Sequence, residues 1–66
     1  MKLNRKKILH ALIDAGMNNK ELSEVSGVSP SRTSMILNGQ NTTYETACKI
    51  AKALNVPVVS LIEDQE

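Results

Sequence analysis

The chain has no tryptophan and no phenylalanine, and Tyr44 is its one aromatic residue. A core must therefore be assembled from Leu, Ile, Val and Ala, in a chain short enough to bury only about 60% of its unfolded surface. One cysteine, Cys48, excludes an internal disulfide, and with a single histidine, His10, it excludes a zinc framework. Cys48 reads as a small packed residue and His10 as an ordinary, partly exposed one. This thin supply of thiol and imidazole fits a reduced, cytoplasmic setting. Period-two runs of β-branched residues are almost absent, which argues against a sheet. The basic N-terminus is followed by no apolar run of signal-peptide length, and nothing nears a membrane span. One histidine for several hydroxyl clusters, without a glycine-rich phosphate loop or metal-ligand spacing, leaves no basis for an enzyme, a cofactor, a metal or a small-molecule ligand.

Sixty-six residues make one domain, residues 1–66, with 62–66 expected to fray as an acidic tail. The net charge of +1 hides an uneven distribution. Lys2, Arg5, Lys6 and Lys7 open the chain and Glu63, Asp64 and Glu66 close it; residues 1–62 carry eight cations against four acids, a net of +4. That body suits a polyanion. The leading cations read first as a solvated helix start, a reading compatible with phosphate contact.

Capping signals divide the chain into helices. Residues 4–15 form the first, with Asn4 at its start, Gly16 at its stop, and Ile8, Leu9, Leu12 and Ile13 lining one face. The second starts at Asn18, which has the capping-box spacing to Glu21, turns Leu22 and Val25 inward, and closes at Gly27. Ser29-Pro30 is a hydroxyl cap followed by proline, predicting a third helix over 31–38 that Gly39 ends. A fourth spans 44–54 behind the Asn41-Thr42-Thr43 loop, with Ala47, Ile50, Ala51 and Leu54 inside and Asn55 as a left-handed cap. Pro57 introduces a last short helix of about 58–63, with Val58, Leu61 and Ile62 available for burial. Val59 is apolar beyond what that packing needs, either a stray surface valine or part of a dimer interface.

The stretch 18–41 organises the rest. Two helices joined by a tight, glycine-containing turn present the second on a convex face. Its outward, N-terminal part carries Pro30, Ser31, Arg32, Ser34 and Met35, and no Asp or Glu lies between Ser26 and Tyr44. A helix with short side chains and no acid satisfies the steric and electrostatic demands of the DNA major groove, about 12 Å wide. The same composition also fits an exposed helix of a plain bundle.

From about Ile8 to Ile62 the chain resembles the lambda-repressor/Cro-like, or XRE-type, helix-turn-helix family. The resemblance is carried by NNKELSEVSGVS, PSRTSMILNG and YETACKIAKALNV, within which Leu22, Gly27, Val28, Ser29, Ile36, Asn38-Gly39 and the KIAKAL run fall in family order. It implies an all-α fold of five helices with the helix-turn-helix at helices 2 and 3. It further implies a homodimer on double-stranded DNA and transcriptional regulation, often repression, in phages and mobile elements. By position, Pro30, Ser31, Arg32, Ser34 and Met35 match residues facing bases or their flanking phosphates. Asn19, Asn38, Gln40, Asn41 and Thr43 match phosphate-contacting positions.

Departures from the pattern bear on packing and specificity. Ser23 stands where helices 2 and 3 cross in place of the usual alanine, and Ser26 and Thr33 replace larger apolar residues. The change at 23 is mild, but a hydroxyl buried at 26 or 33 needs a partner, such as a carbonyl one turn back. Pro30 cannot make the two-pronged adenine contact available to a glutamine, so sequence preference falls to the other side chains, with Arg32 suited to guanine or to a phosphate. Two alternatives stand beside the regulator: a protein-interaction module such as an antitoxin or anti-repressor, and the DNA-binding part of a longer repressor. The Met1 start and charged end favour a whole small protein over the last.

Overall fold

The computed structural model describes residues 2–62. Four α-helices follow in order: α1 (Arg5–Ala15), α2 (Asn19–Ser26), α3 (Pro30–Leu37) and α4 (Tyr44–Ala53). Each begins where a short polar side chain replaces the missing intrahelical partner of a first-turn amide. The Asn4 carboxamide oxygen accepts from the Lys7 N–H at 3.0 Å. Asn18 accepts from the Glu21 N–H at 2.8 Å while the Glu21 carboxylate accepts from the Asn18 N–H at 3.0 Å, a complete capping box. Ser29 Oγ accepts from the Arg32 N–H at 3.3 Å, with Pro30 as the first helical residue, and Thr43 Oγ1 accepts from the Thr46 N–H at 3.2 Å. After α4, Asn55 takes the left-handed conformation at φ 60°.

The core is aliphatic: Leu3, Ile8, Leu12, Leu22, Val28, Ile36, Ala47, Ile50, Ala51, Leu54 and Leu61 are buried together. α3 and α4 both pack on α2, and α1 meets α3. This arrangement departs from the sequence-based faces at two helices. Leu9 and Ile13 are 55% and 67% exposed, so Ile8 and Leu12 alone, flanked by half-buried Ala11, carry the inner face of α1. At about 100° per residue, Leu9 and Ile13 form a second stripe rotated away from the Ile8–Leu12 stripe, and only one of the two meets the bundle. On α2, Val25 is 60% exposed while Ser23 is buried and Ser26 half-buried. The helix is rolled so that its hydroxyl side meets the turn.

The last element also differs. The chain over 58–63 does not form a fifth α-helix; Val58–Ser60 make a single 3-10 turn, and Glu63 lies outside the described residues. Pro57 precedes it, and the Ser60 hydroxyl donates to the Pro57 carbonyl at 2.7 Å. The Leu61 carbonyl, which a continuing helix would direct along its own axis, instead accepts from the Asn4 N–H at 2.7 Å. Ile62 then pairs with Leu3 in an isolated antiparallel bridge. Ile62 is thus tied down rather than part of a fraying tail; residues 63–66 of that expected tail lie outside the described residues. Leu3, buried at the seam, completes the core from a segment that helical periodicity does not reach.

Candidate nucleic-acid interface

The turn between α2 and α3 is held by three hydroxyls that converge on the backbone of Val28. Ser23 Oγ donates to the Val28 carbonyl at 2.6 Å, and Thr33 Oγ1 donates to the same oxygen at 3.5 Å. Ser26 Oγ accepts from the Val28 N–H at 3.2 Å and donates to the Ser23 carbonyl at 3.4 Å. Gly27, at φ 76°, provides the left-handed residue that lets the chain reverse ahead of Val28. The Val28 side chain points into the core. Both ends of its peptide and its side chain are therefore fixed, and the direction in which α3 leaves α2 is fixed with them. The three polar departures at 23, 26 and 33 are satisfied groups, and Ser26 does use a carbonyl one turn back. Ser23 and Thr33 instead reach across the turn, five residues each to Val28. Their symmetric spacing about Val28 is a sequence signal, but one that becomes meaningful only with the turn in place.

On α3 that arrangement buries Thr33 and Ile36 and leaves Pro30, Ser31, Arg32, Ser34 and Met35 exposed. These five candidate base-contacting residues share the outer side of one eight-residue helix. Among the described residues the Arg32 guanidinium has no hydrogen bond or ion pair. The first turn of α3 holds no acid. The surface thus offers one uncommitted cation among small hydroxyls and a flexible thioether.

Four of the candidate phosphate-contacting residues lie on the rim segment that runs from the end of α3 to the head of α4. Asn38 caps the end of α3, and Gln40 and Asn41 follow it, all three exposed. Thr43 is exposed at the head of α4, but its hydroxyl proton already goes to Thr46 Oγ1 at 3.0 Å. Asn19, in the first turn of α2, lines a cleft of about 500 Å³ with Arg5, Lys6, Leu9 and Leu37. Sequence reading did not join the leading cations to this rim, because nothing local specifies where α1 lies against α2 and α3. Val59 stands apart on the final turn, 70% exposed.

Next to Thr43, the exposed Tyr44 phenol hydrogen-bonds the half-buried Cys48 thiol one turn on, and this bond together with the charge of the thiolate holds the phenol above its ordinary pKa. Tyr44 therefore brings no negative charge to the rim near neutral pH. His10 and Asp14, four apart on α1, share a cleft with Ser60, but the Ser60 proton is committed to the Pro57 carbonyl. No group of three side chains able to hold a metal ion occurs among the described residues, and no helix there is long and apolar enough to cross a membrane.

A small helical domain that braces a tight turn and projects the helix beyond it, acid-free and polar, is a helix-turn-helix module of the DNA-binding class. A helix-turn-helix family model, of the XRE type to which the lambda repressor and Cro are similar, matches residues 8–61, and the chain belongs to that family. No curated protein and no solved structure matches it.

Proposed function

We propose that this protein is a transcriptional repressor that binds double-stranded DNA as a homodimer, inserting α3 into the major groove of each half-site. The observation that carries this reading is the exposed face of α3, where Pro30, Ser31, Arg32, Ser34 and Met35 stand free of acid on a helix whose exit angle is fixed at Val28. Arg32 reads guanine through its two-pronged guanidinium, a contact worth about 1–3 kcal/mol of discrimination. Met35 packs on a thymine methyl, and Ser31 and Ser34 add weaker hydrogen bonds. Asn19, Asn38, Gln40 and Asn41 hold the backbone on either side, and Thr43 contributes through the helix terminus it caps rather than through its own proton. Few strong base contacts per half-site mean that specificity comes from two copies on half-sites about one helical turn apart. Such a regulator works in the cytoplasm, and the family resemblance suits a phage or mobile element.

The test begins with selection of bound sequences from a random duplex pool, whose symmetry and spacing report the dimer geometry. Binding of Arg32→Ala is then measured on the selected operator and on random DNA. The expected loss on the operator is about 10- to 100-fold, with much less on random DNA. Equal losses on both would reduce Arg32 to a phosphate contact. If the wild-type protein binds no duplex even at low salt, the interaction-module reading takes over.

A further inference from the structure

Beside the end of α3 lies a second basic feature that the base-reading face does not use. A cleft of about 480 Å³ is lined by Lys2, Arg5 and Lys6 on one side and by Asn38 and Gly39 on the other, and among the described residues no carboxylate lines it. Lys7 faces elsewhere, half-buried on the cleft that holds His10.

Two features of the fold put these cations there. The chain just before α1 is anchored, since Leu3 is buried and paired with Ile62 and the Asn4 N–H is bonded to the Leu61 carbonyl at 2.7 Å. Lys2 is therefore held at a seam of the fold. Gly39, at φ 89°, has no side chain, and the Arg5 stem lies against its open side, with Cδ 3.4 Å and Cγ 3.7 Å from where a Cβ would stand. Arg5 thus lies against the loop that leaves α3 and lines the cleft from that side.

Local electrostatics leave this cluster incomplete. Arg5, Lys6 and Lys7 fill the first turn of α1, at the positive end of the helix dipole, where acids are favoured and none is present. Among the described residues, Lys2, Arg5 and Lys6 have no carboxylate partner. An anion in the cleft would relieve both the mutual repulsion and the unfavourable dipole. Asn38, on the opposite wall, already belongs to the rim assigned to the DNA backbone. We propose that this cleft seats phosphates of the DNA backbone flanking the segment read by α3, with Lys2, Arg5 and Lys6 supplying charge and Asn38 a hydrogen bond. The inference rests on the DNA-binding reading above. It adds a sequence-independent clamp to the base-reading helix.

The test compares the salt dependence of duplex binding by the full chain and by Lys2→Gln/Arg5→Gln/Lys6→Gln. The glutamine at position 5 keeps part of the stem against Gly39, and circular dichroism with a thermal melt verifies the fold. A second variant, Lys2→Gln/Lys6→Gln, leaves the Arg5 packing untouched. For every phosphate that a substitution leaves unneutralised, the slope of log K against log salt should fall by about 0.9, so by up to about 2.7 for the triple variant and 1.8 for the double. The fold-loss should be the same on operator and random duplex. Lys49→Gln/Lys52→Gln is the control, removing two cations that line a separate cleft with Val25 and Ser26. A slope unchanged in both basic-cleft variants, or lowered as much by the control, overturns the clamp while leaving the α3 reading intact. Titration with inorganic phosphate, followed by amide shifts at 2–6 and 38–39, separates a free-anion site from a backbone clamp. Saturation there without any change in duplex slope between wild type and variants overturns it too. A wild-type protein whose duplex binding is insensitive to salt removes the DNA reading and the clamp together.

Discussion

At Val28 a single residue concentrates the polar chemistry of the helix-turn-helix. Its N–H and carbonyl are both served by hydroxyls, and the two bonds to the carbonyl are unequal, 2.6 Å from Ser23 and 3.5 Å from Thr33. The shorter bond carries most of the hold. Ser23→Ala removes it and leaves a buried oxygen with only the longer bond, a loss of about 1–1.5 kcal/mol. Alanine's better helix propensity returns about 0.5 kcal/mol, so the net destabilisation should be near 1 kcal/mol. Thr33→Val removes only the long bond and adds a methyl at a fully buried site, and should stay within about 0.5 kcal/mol of wild type. Urea denaturation of both variants checks the order. Equal stabilities would mean that the Ser23 bond does not set the turn. The need for partners at 26 and 33 was legible in the sequence because buried hydroxyls require them, whereas Ser23 read only as a mild replacement of alanine. The identity of the partner was not legible, since a serine and a threonine ten residues apart meet on one oxygen only once the chain has turned.

Among the helices, starts and stops were the most legible features because they are local. Asn4, Asn18, Ser29 and Thr43 each cap the helix assigned to them, within a residue of the expected bounds. Facing was less legible. Spacing of four finds Ile8–Leu12 and Leu9–Ile13 with equal weight, and only the position of the neighbouring helices decides which stripe is buried. Val25 yields its inward place to hydroxyls for the same reason. The capping box of α2 offers a test that separates folding from binding, because Asn18 adjoins Asn19 on the proposed phosphate rim. Asn18→Asp preserves the cap and suits the helix dipole, so stability should match wild type or rise by a few tenths of a kcal/mol. The added carboxylate repels the DNA backbone, and duplex affinity should fall several-fold, with the fall shrinking as salt is raised. Unchanged affinity at low salt would remove the start of α2 from the interface.

Across the whole molecule, the seam between Leu3 and Ile62 closes the fold and fixes where the final turn sits. Sequence reading expected 62–66 to fray and gave Leu3 no role, because a bridge between residues at opposite ends of the chain has no periodic signature. The consequence reaches assembly. With Leu61 drawn into the core and Ile62 into the bridge, Val59 is left on the outer side of a short turn, 70% exposed, where it adds nothing to the monomer's packing. If the homodimer uses this turn about a two-fold axis, each Val59 is buried once and any substitution is counted twice. Burying one valine contributes about 1.5 kcal/mol, so losing two costs about 3 kcal/mol, or roughly a hundredfold in the association constant. A buried carboxylate at the same place can only increase that cost. Val59→Glu should therefore be monomeric by analytical ultracentrifugation at concentrations where wild type is dimeric, with an unfolding midpoint close to that of the wild-type monomer because the site is exposed. On DNA it should still bind single half-sites through α3 while losing the affinity gained from paired ones. An unchanged association constant would leave Val59 a lone surface valine and move the dimer contact elsewhere, to a surface such as the exposed Leu9–Ile13 stripe of α1.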